Sequence, residues 1–168
     1  MQHIHHYASP LGPMTMASDG TALSGLWFDG QKYFGAGLAP SPSVAPLPVF
    51  DAAVGWLDLY FSGQRPGFLP PLRLVGTGFQ RMVWNLLLSI PYGTTVSYKD
   101  IARRVAALRG TSGMAAQAVG SAVGHNPISL IVPCHRVVGS NGSLTGYAGG
   151  IGRKAWLLEH EGCGRLLP

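Results

Sequence analysis

Short apolar stretches and turn formers alternate over residues 4–36. Turns are expected at Ala8-Ser9-Pro10-Leu11-Gly12-Pro13, at Ser18-Asp19-Gly20 and at Asp29-Gly30, the last closing Leu23-Ser24-Gly25-Leu26-Trp27-Phe28. This pattern predicts a small antiparallel sheet. Pro40, Pro42, Pro46 and Pro48 predict a connecting loop over 37–49, because proline disfavours helix and strand interiors alike. A helix is then expected from a cap at Asp51 through Val54, Leu57 and Phe61, stopping at Gly63.

The stretch from Gln64 to Gly76 is proline-rich and reads as the linker between two domains, after which the periodicity becomes helical. Thr77 and Gln80 have capping-box spacing ahead of Phe79, Val83, Leu86, Leu87 and Ile90, and Pro91 ends that helix. Ser97 is expected to cap a second helix carrying Ile101, Val105 and Leu108 and ending at Gly110. A third, about 113–123, is built mostly of Ala, Gly and Ser, with Val119 and Val123 among its few bulky members. Two helices joined by a short turn suggest a helix-turn-helix, although a small-residue helix packed closely on a neighbour has the same composition. An apolar strand is expected over Ile128-Ser129-Leu130-Ile131-Val132.

With 46% apolar residues in 168, the chain can bury a real core, and its 24 glycines and 13 prolines favour turns over a long helical array. Charge is uneven. Residues 1–72 hold Lys32 and Arg65 against Asp19, Asp29, Asp51 and Asp58, or 2 − 4 = −2; residues 73–168 hold ten Lys/Arg against Asp100, Glu159 and Glu161, or 10 − 3 = +7. A polyanionic partner for the second half is compatible with this, as is a merely solvated basic surface. The two cysteines, Cys134 and Cys163, do not make a disulfide scaffold. No apolar run is long enough to cross a bilayer, and Met-Gln-His-Ile-His-His lacks the order of a secretory signal, so a cytoplasmic protein is expected. His3, His5 and His6 have no cysteine or carboxylate beside them and read as surface residues rather than metal ligands.

The candidate chemistry lies in Pro133-Cys134-His135-Arg136. Proline fixes the backbone before the cysteine, which suits a nucleophile that must be held still. A Cys-His pair alone is weak, since most cysteines are simply buried apolar groups.

Its context is specific. The run Ile131-Val132-Pro133-Cys134-His135-Arg136-Val137-Val138 resembles the active-site signature of the O6-alkylguanine-DNA alkyltransferases. The flanks agree: Phe79 to Trp84, Ile90 to Tyr98, Ala118-Val119-Gly120, Asn126-Pro127, Thr145 to Gly150 and Lys154 to Gly162. The match is nearly continuous over 76–162 and loose over 1–70.

The resemblance implies two domains. An N-terminal α/β domain over 1–72 would carry a small antiparallel sheet of ribonuclease H-like type, and a mainly α C-terminal domain over 73–168 would carry a winged-helix-like helix-turn-helix. It implies DNA repair by direct reversal, with one irreversible transfer of an alkyl group from a flipped-out O6-alkylguanine to Cys134, and leaves O4-alkylthymine open as a second substrate. Cys134, His135 and Glu161 match a relay that includes a water; Asn126 matches an orienting amide and Tyr98 a phenol that donates to the guanine ring. Val137, Tyr147 and Ala148 would line the base pocket. Ala115, Ala116, Gln117 and Gly120 would approach double-stranded DNA in the minor groove, with Arg136 adding charge. No cofactor and no metal are expected, and the protein is expected to act as a monomer away from membranes.

The chain departs from the family pattern at Gln117, where most relatives carry an arginine that fills the space left by the flipped base. It is also longer between Tyr98 and Gln117, where Arg103, Arg104 and Arg109 add charge that partly compensates. Two alternatives remain at this stage. An alkyltransferase-like protein recognises the lesion without transfer, but relatives of that kind lack the cysteine. A thiol hydrolase would lack an evident oxyanion device.

Overall fold

In the computed structural model, which describes residues 2–113 and 116–163, the chain divides into two compact units, Met1–Val75 with Pro127–Ile131, and Gly76–Asn126 with Val132–Pro168. The first unit is built on a four-stranded sheet in the order β3-β2-β1-β4, from β1 (His3–Ser9), β2 (Gly12–Ser18), β3 (Leu23–Phe28) and β4 (Ser43–Val44). The first three strands are antiparallel, as the turn pattern predicts, with His3 opposite Ser18 and Ser9 opposite Gly12. The Ser9 hydroxyl bonds within the β1–β2 turn, donating to Gly12 O at 2.6 Å and accepting from Leu11 N at 3.1 Å.

The 37–49 segment departs from the expected loop in two ways. Residues 43–44 pair in parallel with His3 and Ile4 as β4, and Pro48 opens α1 (Pro48–Phe61) at its first turn, where a missing N–H costs nothing. Asp51 is therefore inside the helix, and Leu47 rather than Asp51 occupies the cap position. The buried stripe of α1 runs through Phe50, Ala53, Leu57 and Tyr60, with Val54 and Phe61 half-buried. His5 of β1 stacks on Phe50 at 5.6 Å, so this histidine serves packing.

The strand expected over 128–132 is not formed. Leu26 N donates to Pro127 O and Ser129 N to Leu26 O, both at 2.9 Å, which makes a single bridge between Ile128 and β3. The chain then turns: Leu130 is fully buried at φ 70°, and Ile131 N donates to Ser129 O at 2.8 Å. A continuous apolar run fits a buried turn as well as a buried strand, so periodicity did not separate them. On the same strand, Leu23 N donates to Pro71 O at 2.7 Å and Arg73 N to Leu23 O at 2.8 Å. The otherwise unpaired edge of β3 is thereby partly satisfied.

The second unit is mainly helical. Helix α2 (Gly78–Leu88) starts at the expected capping box, with Gln80 N on Thr77 Oγ1 at 3.1 Å and Thr77 N on Gln80 Oε1 at 3.0 Å. A second box, Ser97 with Asp100, starts α3 (Tyr98–Arg109), and Gly110 stops it in the left-handed conformation at φ 69°. Helix α4 (Ala116–Gly124) buries Val119, Ala122 and Val123 while Ala116, Gln117, Ala118 and Ser121 are exposed. Trp84 Nε1 donates to Ala122 O at 2.8 Å and locks α2 to α4. Strand β5 (Val96–Ser97) pairs in parallel with β6 (Val137–Val138), and α5 (Ile151–His160) closes the unit by burying Lys154, Leu157 and Leu158.

Candidate active site

Backbone turns place the nucleophile. Asn126 and Val132 are where the chain leaves and re-enters the second unit, and Asn126 Nδ2 ties them by donating to Val132 O at 2.8 Å. Pro133, at φ −83° and ψ 65°, makes a tight turn in which Cys134 N donates to Val132 O at 2.8 Å. Cys134–Arg136 then forms one turn of 3-10 helix. Only 6% of Cys134 is exposed. Burial pushes its thiol up, against the Asn126 hydrogen bond and the Lys154 charge, so the resting form is the neutral thiol.

Next to it, His135 is fully buried, and its Nε2 lies 2.6 Å from Glu161 Oε2. Burial lowers the His135 imidazolium, leaving the ring neutral with Nε2 as the donor to the carboxylate. Glu161 is the residue that ends α5. Burial alone would raise its carboxyl, but hydrogen bonds and charge from His135 and Arg136 override this and hold it below the usual carboxylate range. Arg136 donates through Nε to Oε1 at 2.7 Å and through Nη2 to Oε2 at 3.2 Å, while Nη1 reaches Ile90 O at 2.8 Å. Gly93 N donates to Oε1 at 3.1 Å. Gly93 is at φ 80°, and a Cβ there would sit 3.1 Å from Glu161 O, so both conformation and space favour glycine.

This geometry corrects one expectation. Arg136, assigned to the DNA surface from sequence, is 7% exposed and its guanidinium is committed to Glu161. The 3-10 turn directs its side chain inward, where a buried carboxylate needs a full positive charge.

A second cluster holds the segment that follows. Lys154 is fully buried and its Nζ donates to Val137 O at 2.6 Å and Thr145 O at 2.9 Å. Burial pushes its ammonium down to about 8. The Tyr98 hydroxyl donates to the carbonyls of Thr145 at 3.1 Å and Gly146 at 3.3 Å. Burial raises the Tyr98 phenol, which keeps it a neutral donor. Lysine and tyrosine thus fix the same two-residue stretch, with Lys154 Nζ 5.8 Å from the Tyr98 ring centroid.

Of the residues singled out in the sequence, Cys134, His135, Asn126, Glu161, Tyr98 and Val137 fall in this one unit. Val137 is buried, and Tyr147 and Ala148 are half-buried in the loop before α5. Ala116 and Gln117 are exposed on α4 and Gly120 is half-buried; Ala115 lies outside the described residues. Lys154 is not among the residues singled out, although it lies in the Lys154 to Gly162 segment of the signature. Its signal was its spacing: Lys154, Leu157, Leu158 and Glu161 recur on one helical face, so a cation and a carboxylate occupy positions that should be apolar.

The chain is similar to known proteins along nearly its whole length. Residues 3–74 match the family described as 6-O-methylguanine DNA methyltransferase, ribonuclease-like domain, and residues 78–163 match the DNA binding domain of the same name. The methylated-DNA–protein-cysteine methyltransferase of Mycobacterium tuberculosis is 47% identical over 161 residues, covering 96% of this chain and 93% of the relative. That of Methanosarcina acetivorans is 41% identical over 157 residues, covering 93% and 96%. The crystal structure of Mycobacterium tuberculosis OGT in complex with DNA superposes with a TM-score of 0.81 at 45% identity, covering 95% of this chain and 92% of that one. With both of its domains matched and a buried cysteine, histidine and carboxylate in the second, the chain belongs to the 6-O-methylguanine DNA methyltransferase family.

Proposed function

We propose that this protein repairs DNA by direct reversal, moving an alkyl group from guanine O6 to Sγ of Cys134 once per molecule. The observation that carries this is the buried pair after the cysteine, with His135 Nε2 2.6 Å from Glu161 Oε2. A neutral buried thiol is a poor nucleophile and needs its proton removed as it reacts. His135 takes that proton on its other ring nitrogen through an intervening water, and Glu161 stabilises the imidazolium that forms. Sulfur attacks the alkyl carbon, the S–C bond forms as the C–O6 bond breaks, and the electron pair returns to the purine. Tyr98 turns its hydroxyl from the Thr145 and Gly146 carbonyls to donate toward the departing guanine, and the proton lost by the thiol balances the one the restored base regains. Lys154 favours the thiolate by charge, and Asn126 orients it. The thioether product has no good leaving group, so the reaction does not turn over.

The alkylated atom is inside the base stack, so the base must flip, at a cost of a few kcal/mol. Helix α4 supplies the approach through the minor groove: Ala116, Gln117 and Ala118 are exposed and small or unbranched, and let the backbone come close. Val137, Tyr147 and Ala148 line the pocket for the flipped base. The protein acts as a monomer in the cytoplasm. Intact mass after incubation with a duplex carrying one O6-methylguanine tests the reading: one added methyl, absent in Cys134→Ser, is expected. Specific binding to the lesion with no gain in mass would replace transfer with recognition alone.

A further inference from the structure

The exposed face of α3 carries Lys99, Arg103, Arg104 and Arg109, with Asp100 as its one acidic residue. Lys99 and Arg103 stand one helical turn apart, about 6 Å along the axis. Two open cavities flank the pair, and both residues line both. The first, about 470 Å³, adds Thr95, Ser97, Asp100, Gly139 and Ser140; the second, about 480 Å³, adds Ala102, Ala106, Thr111 and Ser112. Two cations on a shared wall outnumber the single carboxylate of Asp100 in clefts otherwise lined by hydroxyl and small residues, which makes a surface for an extended polyanion rather than for a compact anion.

We propose that Lys99 and Arg103 clamp the sugar-phosphate backbone of duplex DNA, with successive phosphates of one strand on either side of the pair. This rests on the DNA-repair reading above and adds to it a contact outside α4 and the base pocket. Charge complementarity selects the occupant: the Asp100 carboxylate is 3.4 Å from Arg103 Nη1, but it also accepts from Ser97 N at 3.0 Å. Arg103 is 76% exposed in that pair, so its guanidinium can turn to a phosphate at little cost. In helix-turn-helix proteins the first helix crosses the backbone, and α3 is the first member of the packed α3–α4 pair. Contacts of this kind give affinity without sequence preference.

Duplex binding measured by fluorescence anisotropy over a salt series, with wild type, K99A, R103A and the double variant, tests the clamp. Each cation lost should flatten the slope of log K against log salt by about 0.9, and the double variant by about twice that. The charge-retaining K99R/R103K should keep the wild-type slope, which separates charge from folding. Alkyl transfer from the free base O6-benzylguanine, which has no phosphate, should be unchanged in all variants. A double variant with wild-type affinity and slope on duplex DNA would overturn the clamp. Slopes that flatten while wild type transfers no alkyl group from either substrate would leave the clamp standing and remove the repair reading instead.

Discussion

Glu161 accepts from His135, Arg136 and Gly93 while almost fully buried, so its removal acts twice. Glu161→Gln leaves the Arg136 charge buried without its counter-ion and should destabilise the fold by about 3–5 kcal/mol in urea denaturation. It also removes the acceptor that stabilises a protonated His135, and single-turnover transfer should slow by about 10²–10⁴-fold. Wild-type stability in Glu161→Gln would mean that the Arg136 bond is not maintained in solution. Lys154→Met tests the second cluster at comparable volume. It removes a donor to Val137 O and Thr145 O and the positive charge beside the thiol, so transfer from a free alkylated base should fall about 10²-fold with the helix content retained by circular dichroism. An unchanged rate would limit Lys154 to packing.

At the scale of elements, α4 carries Gln117, the uncharged residue at which the sequence departs from the family signature it resembles. Glutamine at 117 is exposed and uncharged, so Gln117→Arg should raise the repair rate on duplex substrate without changing transfer from the free base. Equal rates on duplex for the two proteins would refute it. How much was legible in sequence follows from whether a signal is local. The capping box at Thr77, the Ser97 cap and the Gly110 stop are written in a few adjacent residues, and each formed where expected. Ser97→Ala should accordingly cost about 1 kcal/mol in chemical denaturation. The start of α1 and the pairing of β4 are not legible in the sequence because proline, a breaker inside helices and strands, is favoured in a helix's first turn. The nucleophile's surroundings were legible through the motif, but the inward turn of Arg136 was not, since its partner is far away in sequence at 161.

For the whole molecule, the carboxylate at 161 ties stability to pH. Its folded value lies below the ordinary 4.5, so its contribution is fully present above that value and is lost as pH falls toward the folded value. Asp19, held down by backbone donors at Ala22 and Thr21, and Asp100, held down by Ser97, tilt the same way, but both are exposed enough for water to screen most of the effect. A stability curve measured from pH 6 downward should therefore fall more steeply in wild type than in Glu161→Gln; parallel curves would refute the assignment. The burial of Cys134 has a consequence of a different kind. A protein that spends itself on one event has a useful lifetime set by every other electrophile and oxidant it meets. A thiol 6% exposed and held protonated is a slow target for all of them, whereas Cys163, only partly covered, is easier to reach. Iodoacetamide should therefore label Cys163 before Cys134, so that the pool of unspent molecules is drawn down by damaged DNA rather than by the chemistry of the surrounding solvent.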